Sequence, residues 1–179
     1  NNIIYKECNM YFANDDDATY ASKADIQKYA EELSSKFIYP RETFIYDVCT
    51  ELGIEISFEN PLLEQNNFNG SIYINKDEEK IKITLSNLTS ELRNNFTIAH
   101  EIGHLFLHSS KTAHRTIGFN RYGSGRLEWE ANWFAAAFLM PKEQFLLKYK
   151  FFNGALYELA LFFNVSESAV KIRKKDLGI

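Results

Sequence analysis

Cysteine is scarce in this sequence. Its 179 residues hold two, Cys8 and Cys49, far apart and forming no CxxC pair. That argues against a cysteine-built zinc site and against a disulfide framework, and both read as free thiols in a reducing compartment. An excess of positive charge is also lacking. The formal net charge is −4, so the chain is not built as a general nucleic-acid binder. Residues Asn1 to Asp17 hold no apolar run of signal-peptide length. No later stretch reaches the roughly 18 apolar residues of a membrane span. These absences predict a soluble, cytoplasmic protein with no membrane partner. No internal repeat and no low-complexity linker is found.

What is present suits a folded domain. Hydrophobic residues make up 45% of the chain, with 15 Phe and 10 Tyr, enough to bury a core through large aromatic areas. Residues 1–22, with the acidic run Asn14-Asp15-Asp16-Asp17, read as a loose arm. Ser22 caps a predicted helix, with Asp25 three residues on and Ile26, Tyr29, Ala30 and Leu33 at helical spacing. A second helix is expected over Arg41–Leu52, ended by Gly53. Ile54–Phe58 reads as a strand, and Ser71–Ile74 with Lys80–Leu85 as a hairpin around the polar turn Asn75–Glu79. Thr89 or Ser90 opens a helix running to about His108. Another spans Leu127–Met140 and stops at Pro141. The remainder, 142–179, reads as short helical pieces.

The chemistry concentrates in His100-Glu101-Ile102-Gly103-His104. Two histidines four residues apart on a helix sit about 40° apart on one face. So placed, they can share one metal, and zinc accepts nitrogen ligands in tetrahedral geometry. Glu101 projects beside them and can take a proton from water that the metal has acidified. A chance HExxH arises on the order of once in a hundred such chains, so context has to carry the assignment. Ile98, Ala99, Ile102, Leu105 and Phe106 surround the motif, and a carboxylate in apolar surroundings needs a compensating partner. Gly103 is a poor helix former, and its missing side chain would admit a neighbouring element.

A catalytic zinc site usually has a third protein ligand. The extended pattern HExxHxxGxxH fails, because Leu107 and Ser110 stand where its Gly and last His belong. No Asp occurs between Glu101 and Asp176. His108 lies a turn too far along the axis and reads as a helix-end histidine near the negative dipole end. His114, in an expected loop, reads as a minor ligand or substrate contact. Glu128 and Glu130 open the next helix about 200° apart around it, so one of them faces the metal. Ala131, Phe134, Ala135 and Phe138 mark its buried stripe, and both carboxylates flank that stripe at similar angles. Asn132, one turn after Glu128, could hydrogen-bond a ligand histidine. The choice therefore falls on Glu128, with Glu130 in reserve.

The chain here resembles the ImmA/IrrE family of metallopeptidases. The residues that carry the resemblance are 96–104, Phe-Thr-Ile-Ala-His-Glu-Ile-Gly-His, and 128–141, from Glu128-Trp129-Glu130-Ala131-Asn132 to Leu139-Met140-Pro141. Weaker similarity extends over roughly residues 25–179. The resemblance implies a gluzincin-like site holding one Zn2+ through His100, His104 and Glu128, with Glu101 as base. Asn132 stands where many gluzincins carry Asp. It also implies a substrate class: helix-turn-helix repressors of the XRE type, whose cleavage releases phage, mobile-element or stress genes.

The tail from Leu159 to Val170 looks like helix, turn, helix, followed by Lys171, Arg173, Lys174 and Lys175. One reading is DNA contact. The favoured one is a helical layer packed on the peptidase through Leu161, Phe162 and Val165, since the whole chain is acidic. The expected fold is α+β: a zincin-like core with a small antiparallel sheet, the HExxH helix and a C-terminal helix-turn-helix-like extension. The expected divisions are an arm over 1–22, a peptidase domain over 23–145 and the extension over 146–179. His114, Arg115, Tyr122 and Arg126 are the nearest candidates for substrate or oxyanion contacts. The expected activity is zinc-dependent peptide hydrolysis of a repressor. Its rivals are an inactive DNA- or protein-binding regulator of antitoxin type and a zinc hydrolase of a small amide.

Overall fold

The computed structural model describes residues 11–13, 15–60, 70–110, 116–120 and 125–179. Cys8, His114, Arg115 and Tyr122 lie outside the described residues. The described chain is α+β, as expected. Its elements are β1 (Tyr11–Phe12), a short 3-10 turn (Asp15–Asp17), α1 (Lys23–Ser34), α2 (Phe44–Glu51), β2 (Ile54–Glu59), β3 (Gly70–Asn75), β4 (Lys80–Ser86), α3 (Glu91–Leu107), β5 (Thr116–Asn120), α4 (Arg126–Leu139), α5 (Lys142–Phe151), α6 (Leu156–Phe163) and α7 (Glu167–Asp176). Among the described residues, no helix is long and apolar enough to cross a membrane.

Local chemistry sets most helix starts. Ser22 accepts from the Asp25 amide at 3.1 Å and donates to the Asp25 carboxylate at 2.6 Å, closing the predicted cap of α1. Ser90 does the same for α3, accepting from the Arg93 amide. Helix α2 begins at Phe44, three residues later than expected, because Pro40 leads a turn in which the Thr43 amide donates to the Pro40 carbonyl. Arg41, expected inside the helix, lays its guanidinium 4.5 Å from the Phe44 ring centroid. Gly53 ends α2 at φ +66°, where a side chain would be strained. Cys49 is buried in α2, and burial pushes its thiol up to about 12, leaving it protonated and unreactive.

The sheet runs β1-β5-β3-β4-β2. It is mixed rather than antiparallel. Strands β3 and β4 form the predicted hairpin, and β5 pairs antiparallel with β3, but β2 pairs parallel with β4 and β1 parallel with β5. Alternation in a sequence assigns a strand's faces but says nothing about its neighbours or their direction. Ile72, Ile74, Ile83, Leu85 and Ile117 form its buried face and join Ile98 and Ile102 of α3 in one core. The described part of the N-terminal stretch is tied to this body. Phe12 registers with Gly118, and the Ala13 amide donates to the Gly118 carbonyl.

The tail packs as a helical layer. The left-handed Asn164, Val165 and the cap Ser166 turn α6 into α7, and Val165 and Val170 are buried. Arg173, read from sequence as part of a basic face, is fully buried. It donates to the Met140 carbonyl at 2.9 Å and pairs with Glu31 of α1. Asp176 binds Lys23 at 2.7 Å. Leu161, expected in the packing face, is 58% exposed; Phe162 is half-buried. Spacing alone misplaced it by about one helix position.

Gly70 opens β3 directly against α3. A Cβ there would collide with Thr97 Cγ2 and stand 3.5 Å from Glu101 Oε1. Gly70→Ala is expected to lower unfolding stability by about 1–3 kcal/mol, the usual range for overpacking. Thr97→Ala in the same chain should recover much of that loss. A double-mutant cycle by urea unfolding measures the coupling, and additive effects would contradict the contact.

Candidate metal centre

Helix α3 is amphipathic in an unusual sense: its buried side carries polar groups. His100, Glu101, His104 and His108 are all at most 1% exposed, among Ile98, Ala99 and Ile102. Four-residue spacing stacks the three imidazoles along one face, with ring centroids 4.7 Å apart for His100 and His104 and 5.1 Å for His104 and His108. Helix α4 supplies the opposing side chains. It approaches closely because of Gly103, as its missing side chain suggested. A Cβ on Gly103 would lie 3.2 Å from both Cα and O of Ala131.

That approach brings Glu128 to the histidines. Its Oε2 lies 3.2 Å from His100 Nε2, its Oε1 lies 3.3 Å from His104 Nε2, and the two Nε2 atoms are 3.0 Å apart. Ligand atoms about 2.0–2.1 Å from a tetrahedral zinc lie about 3.3 Å from one another. The observed triangle has that size. His100, His104 and Glu128 form a buried group that can hold a metal ion. Glu130, the reserve choice, does not join it.

The protonation chemistry of the group fits a cation. Asn132 Oδ1 lies 3.0 Å from His100 Nδ1. An amide oxygen only accepts, so Nδ1 carries a proton, and in the neutral ring that a metal ligand must be, Nε2 presents its lone pair to the triangle. Burial lowers His104 to about 3, outweighing the opposing pull of Glu128, so this imidazole is neutral at pH 7. Burial acts to raise the Glu128 carboxyl, but the His100 and His104 rings beside it act more strongly and draw the group down to about 2. An ionised carboxylate facing a neutral imidazole lone pair repels it unless a positive charge sits between them. Metal ligands need these same states, an ionised carboxylate and neutral imidazoles.

Glu101 follows His100 on α3 and is 1% exposed. Gly70 leaves space before its carboxylate. Arg126, considered from sequence as a substrate or oxyanion contact, is placed elsewhere. Its Nε donates to Glu130 Oε1 at 2.8 Å, its Nη2 donates to the Ala21 carbonyl, and its guanidinium lies 4.9 Å from the Trp133 ring.

Two residues have larger parts than their sequence reading gave them. His108 is fully buried; its Nδ1 is 3.0 Å from His104 Nδ1 and its Nε2 is 3.1 Å from Glu130 Oε2. Glu130 also accepts from the Thr19 amide and hydroxyl, both at 2.7 Å, and from the Tyr20 amide at 2.8 Å. The repeated four-residue step from His100 through His104 to His108 was the available signal for His108. Nothing local in the sequence announces Thr19 and Tyr20, which lie some hundred residues from Glu130 along the chain.

Burial acts to raise the Glu130 carboxyl, but the donors from Thr19, Arg126 and His108 prevail and hold it at about 2, against an ordinary 4.5. A depressed folded value gives stability that is complete above the unfolded value and disappears as pH falls through the folded one. Glu130 should therefore contribute on the order of 3 kcal/mol at neutral pH, lost between about pH 4.5 and pH 2. Urea unfolding across that range tests this: Glu130→Gln should be less stable at pH 7 and show a flatter acid limb.

Residues 49–175 match the IrrE N-terminal-like domain of the peptidase M78 family. No curated protein matches the chain. Among solved structures, a Mycobacterium tuberculosis transcriptional regulator has a similar fold, with a TM-score of 0.55 at 15% identity. The likeness covers 82% of this chain and 45% of that protein, so the chain spans less than half of its length. With the family pattern matched over most of its length, the chain belongs to the IrrE N-terminal-like peptidase M78 family.

Proposed function

We propose that this protein is a zinc-dependent endopeptidase in which His100, His104 and Glu128 hold the metal and Glu101 is the catalytic base. The observation that carries the reading is the buried triangle of 3.0–3.3 Å edges, with a buried carboxylate one residue along from its first corner. Membership of a peptidase family supports it.

Bound in that triangle, zinc would supply Lewis acidity, drawing electron density from a peptide carbonyl and lowering the pKa of water. The chain's own residues do the rest. Glu101 takes a proton from the attacking water and delivers it to the amine nitrogen as the C–N bond breaks. Its burial in apolar surroundings keeps bulk water from competing for that proton. Asn132 holds the proton on His100 Nδ1 and so keeps Nε2 aimed inward. The proposed substrates are XRE-type helix-turn-helix repressors, in the cytoplasm, as the family resemblance implies. The DNA-binding alternative draws no support from the tail, where Arg173 is buried in an ion pair with Glu31.

Elemental analysis of the purified chain should find one zinc per molecule, lost or much weakened in His104→Ala and in Glu128→Ala. Glu101→Gln should keep its zinc while cleavage falls by about 10²–10⁴. Full-rate cleavage by Glu101→Gln would sink the mechanism. Mass spectrometry of repressors incubated with the loaded enzyme tests the substrate class. Hydrolysis of small amides with every protein left intact would instead favour a small-amide hydrolase. Asn132→Leu should weaken zinc binding about 10- to 100-fold without removing a ligand.

A further inference from the structure

We propose that His108 and Glu130 form a buried relay that fixes the ring proton of His104 and thereby sets the affinity of the metal centre. The inference rests on the reading of His104 as a ligand. It concerns two residues that the reaction itself does not use.

The geometry is a line of contacts: His104 Nδ1 to His108 Nδ1 at 3.0 Å, then His108 Nε2 to Glu130 Oε2 at 3.1 Å. His108 and Glu130 are both fully buried. Proton counting orders the line. Four donors from Thr19, Tyr20 and Arg126 already point at the two oxygens of Glu130, so toward His108 it acts as an acceptor. A neutral imidazole has a single ring proton, and the one on His108 sits on Nε2. Its Nδ1 is then an acceptor, which requires His104 to carry its proton on Nδ1. His104 Nε2 is left as a lone pair directed at Glu128 and His100. The same result reaches His100 by a shorter route through Asn132. The two ligand histidines are thus oriented from different elements: His100 by an amide on α4, His104 through a second imidazole and a carboxylate.

The relay also has an anchor. Five donors converge on the Glu130 carboxylate, and three come from Thr19 and Tyr20, just before α1. Tyr20 takes a left-handed backbone, φ +57°, and its amide donates to Oε1 at 2.8 Å. The segment ahead of α1 therefore helps to hold the last proton acceptor of the line.

The experiment uses the full chain with zinc as the probe. Zinc dissociation constants are measured by competition with a chromophoric chelator at one fixed pH. His108→Phe, which fills the space but neither donates nor accepts, should bind zinc about 10- to 100-fold more weakly. His108→Gln, whose amide can accept from His104 and donate to Glu130, should recover most of that loss. Glu130→Gln should fall between the parent and His108→Phe. Long-range proton–nitrogen NMR of the 15N-histidine-labelled parent gives a signature that packing alone would not produce: a protonated Nδ1 on His104 and a protonated Nε2 on His108. A folded His108→Phe that binds within about twofold of the parent would overturn the relay, as would a proton on His104 Nε2. If His108→Phe does not fold, the NMR assignment on the parent decides alone. A parent chain that binds no zinc would overturn the metal reading and the relay together. A parent that binds zinc normally beside an indifferent His108→Phe would overturn the relay only.

Discussion

Helices α3 and α4 meet where α3 has no side chain, at Gly103, and α4 presents the backbone of Ala131. Gly103 faces the backbone of Ala131 so closely that even a methyl group would need its neighbours to shift. Everything chemical in the molecule depends on that approach. An imidazole on α3 and a carboxylate on α4 can share one small ion only if the two helix backbones come this near. The cost of Gly103 in a helix interior, about 1 kcal/mol, is offset by the packing of Phe134, Ala135 and Phe138 of α4 into the common core. The stacked rings of Phe134 and Phe138, 5.4 Å apart, continue the contact away from the polar cluster.

Close packing then creates an electrostatic problem. It places three imidazoles and three carboxylates, Glu101, Glu128 and Glu130, in a region nearly closed to water. Uncompensated, each buried carboxylate would cost several kcal/mol. The protein divides the compensation. Glu130 is satisfied by donors from the chain itself, from an amide pair, a hydroxyl, a guanidinium and an imidazole. Glu128 faces the Nε2 atoms of two imidazoles at 3.2 and 3.3 Å, in a buried group that can hold a metal ion. Two glutamates two residues apart on one helix thus have opposite chemistry, and the difference lies in which neighbours the fold delivers to each.

That difference also marks how far the sequence could be read. The helix of the HExxH motif, its start at Thr89 or Ser90, the hairpin and the close approach at Gly103 were legible because each follows from spacing or from a single residue's local chemistry. Asn132 separated Glu128 from Glu130 because it sits one turn from the former, and a helix makes such neighbours predictable. The sheet was less legible. Strands β1 and β5 exist through their partners: the first has two residues, and the second contains Gly118 at the point where β1 and β3 flank it. Local propensity does not register contacts of that kind. His108 was visible as a residue but not as a role, since its role is defined by Glu130, and that of Glu130 by Thr19 and Tyr20 far away in the chain.

The two ends of the described chain converge on the same helix. Ahead of α1, Thr19 and Tyr20 bind the Glu130 carboxylate near the start of α4. At the other terminus, Arg173 of α7 donates to the carbonyl of Met140 just beyond the end of α4 and pairs with Glu31 of α1. Lys23 at the start of α1 closes the circuit with Asp176. Helix α4 is therefore held at both ends by segments remote in sequence, while α3 holds its middle at Ala131. A helix that must present one carboxylate at a fixed point benefits from this arrangement, because rotation about its axis would carry Glu128 away from the triangle of contacts it makes with His100 and His104. The helix-turn-helix-like tail accordingly acts as part of the frame of the site, with its central arginine buried where DNA could not reach it.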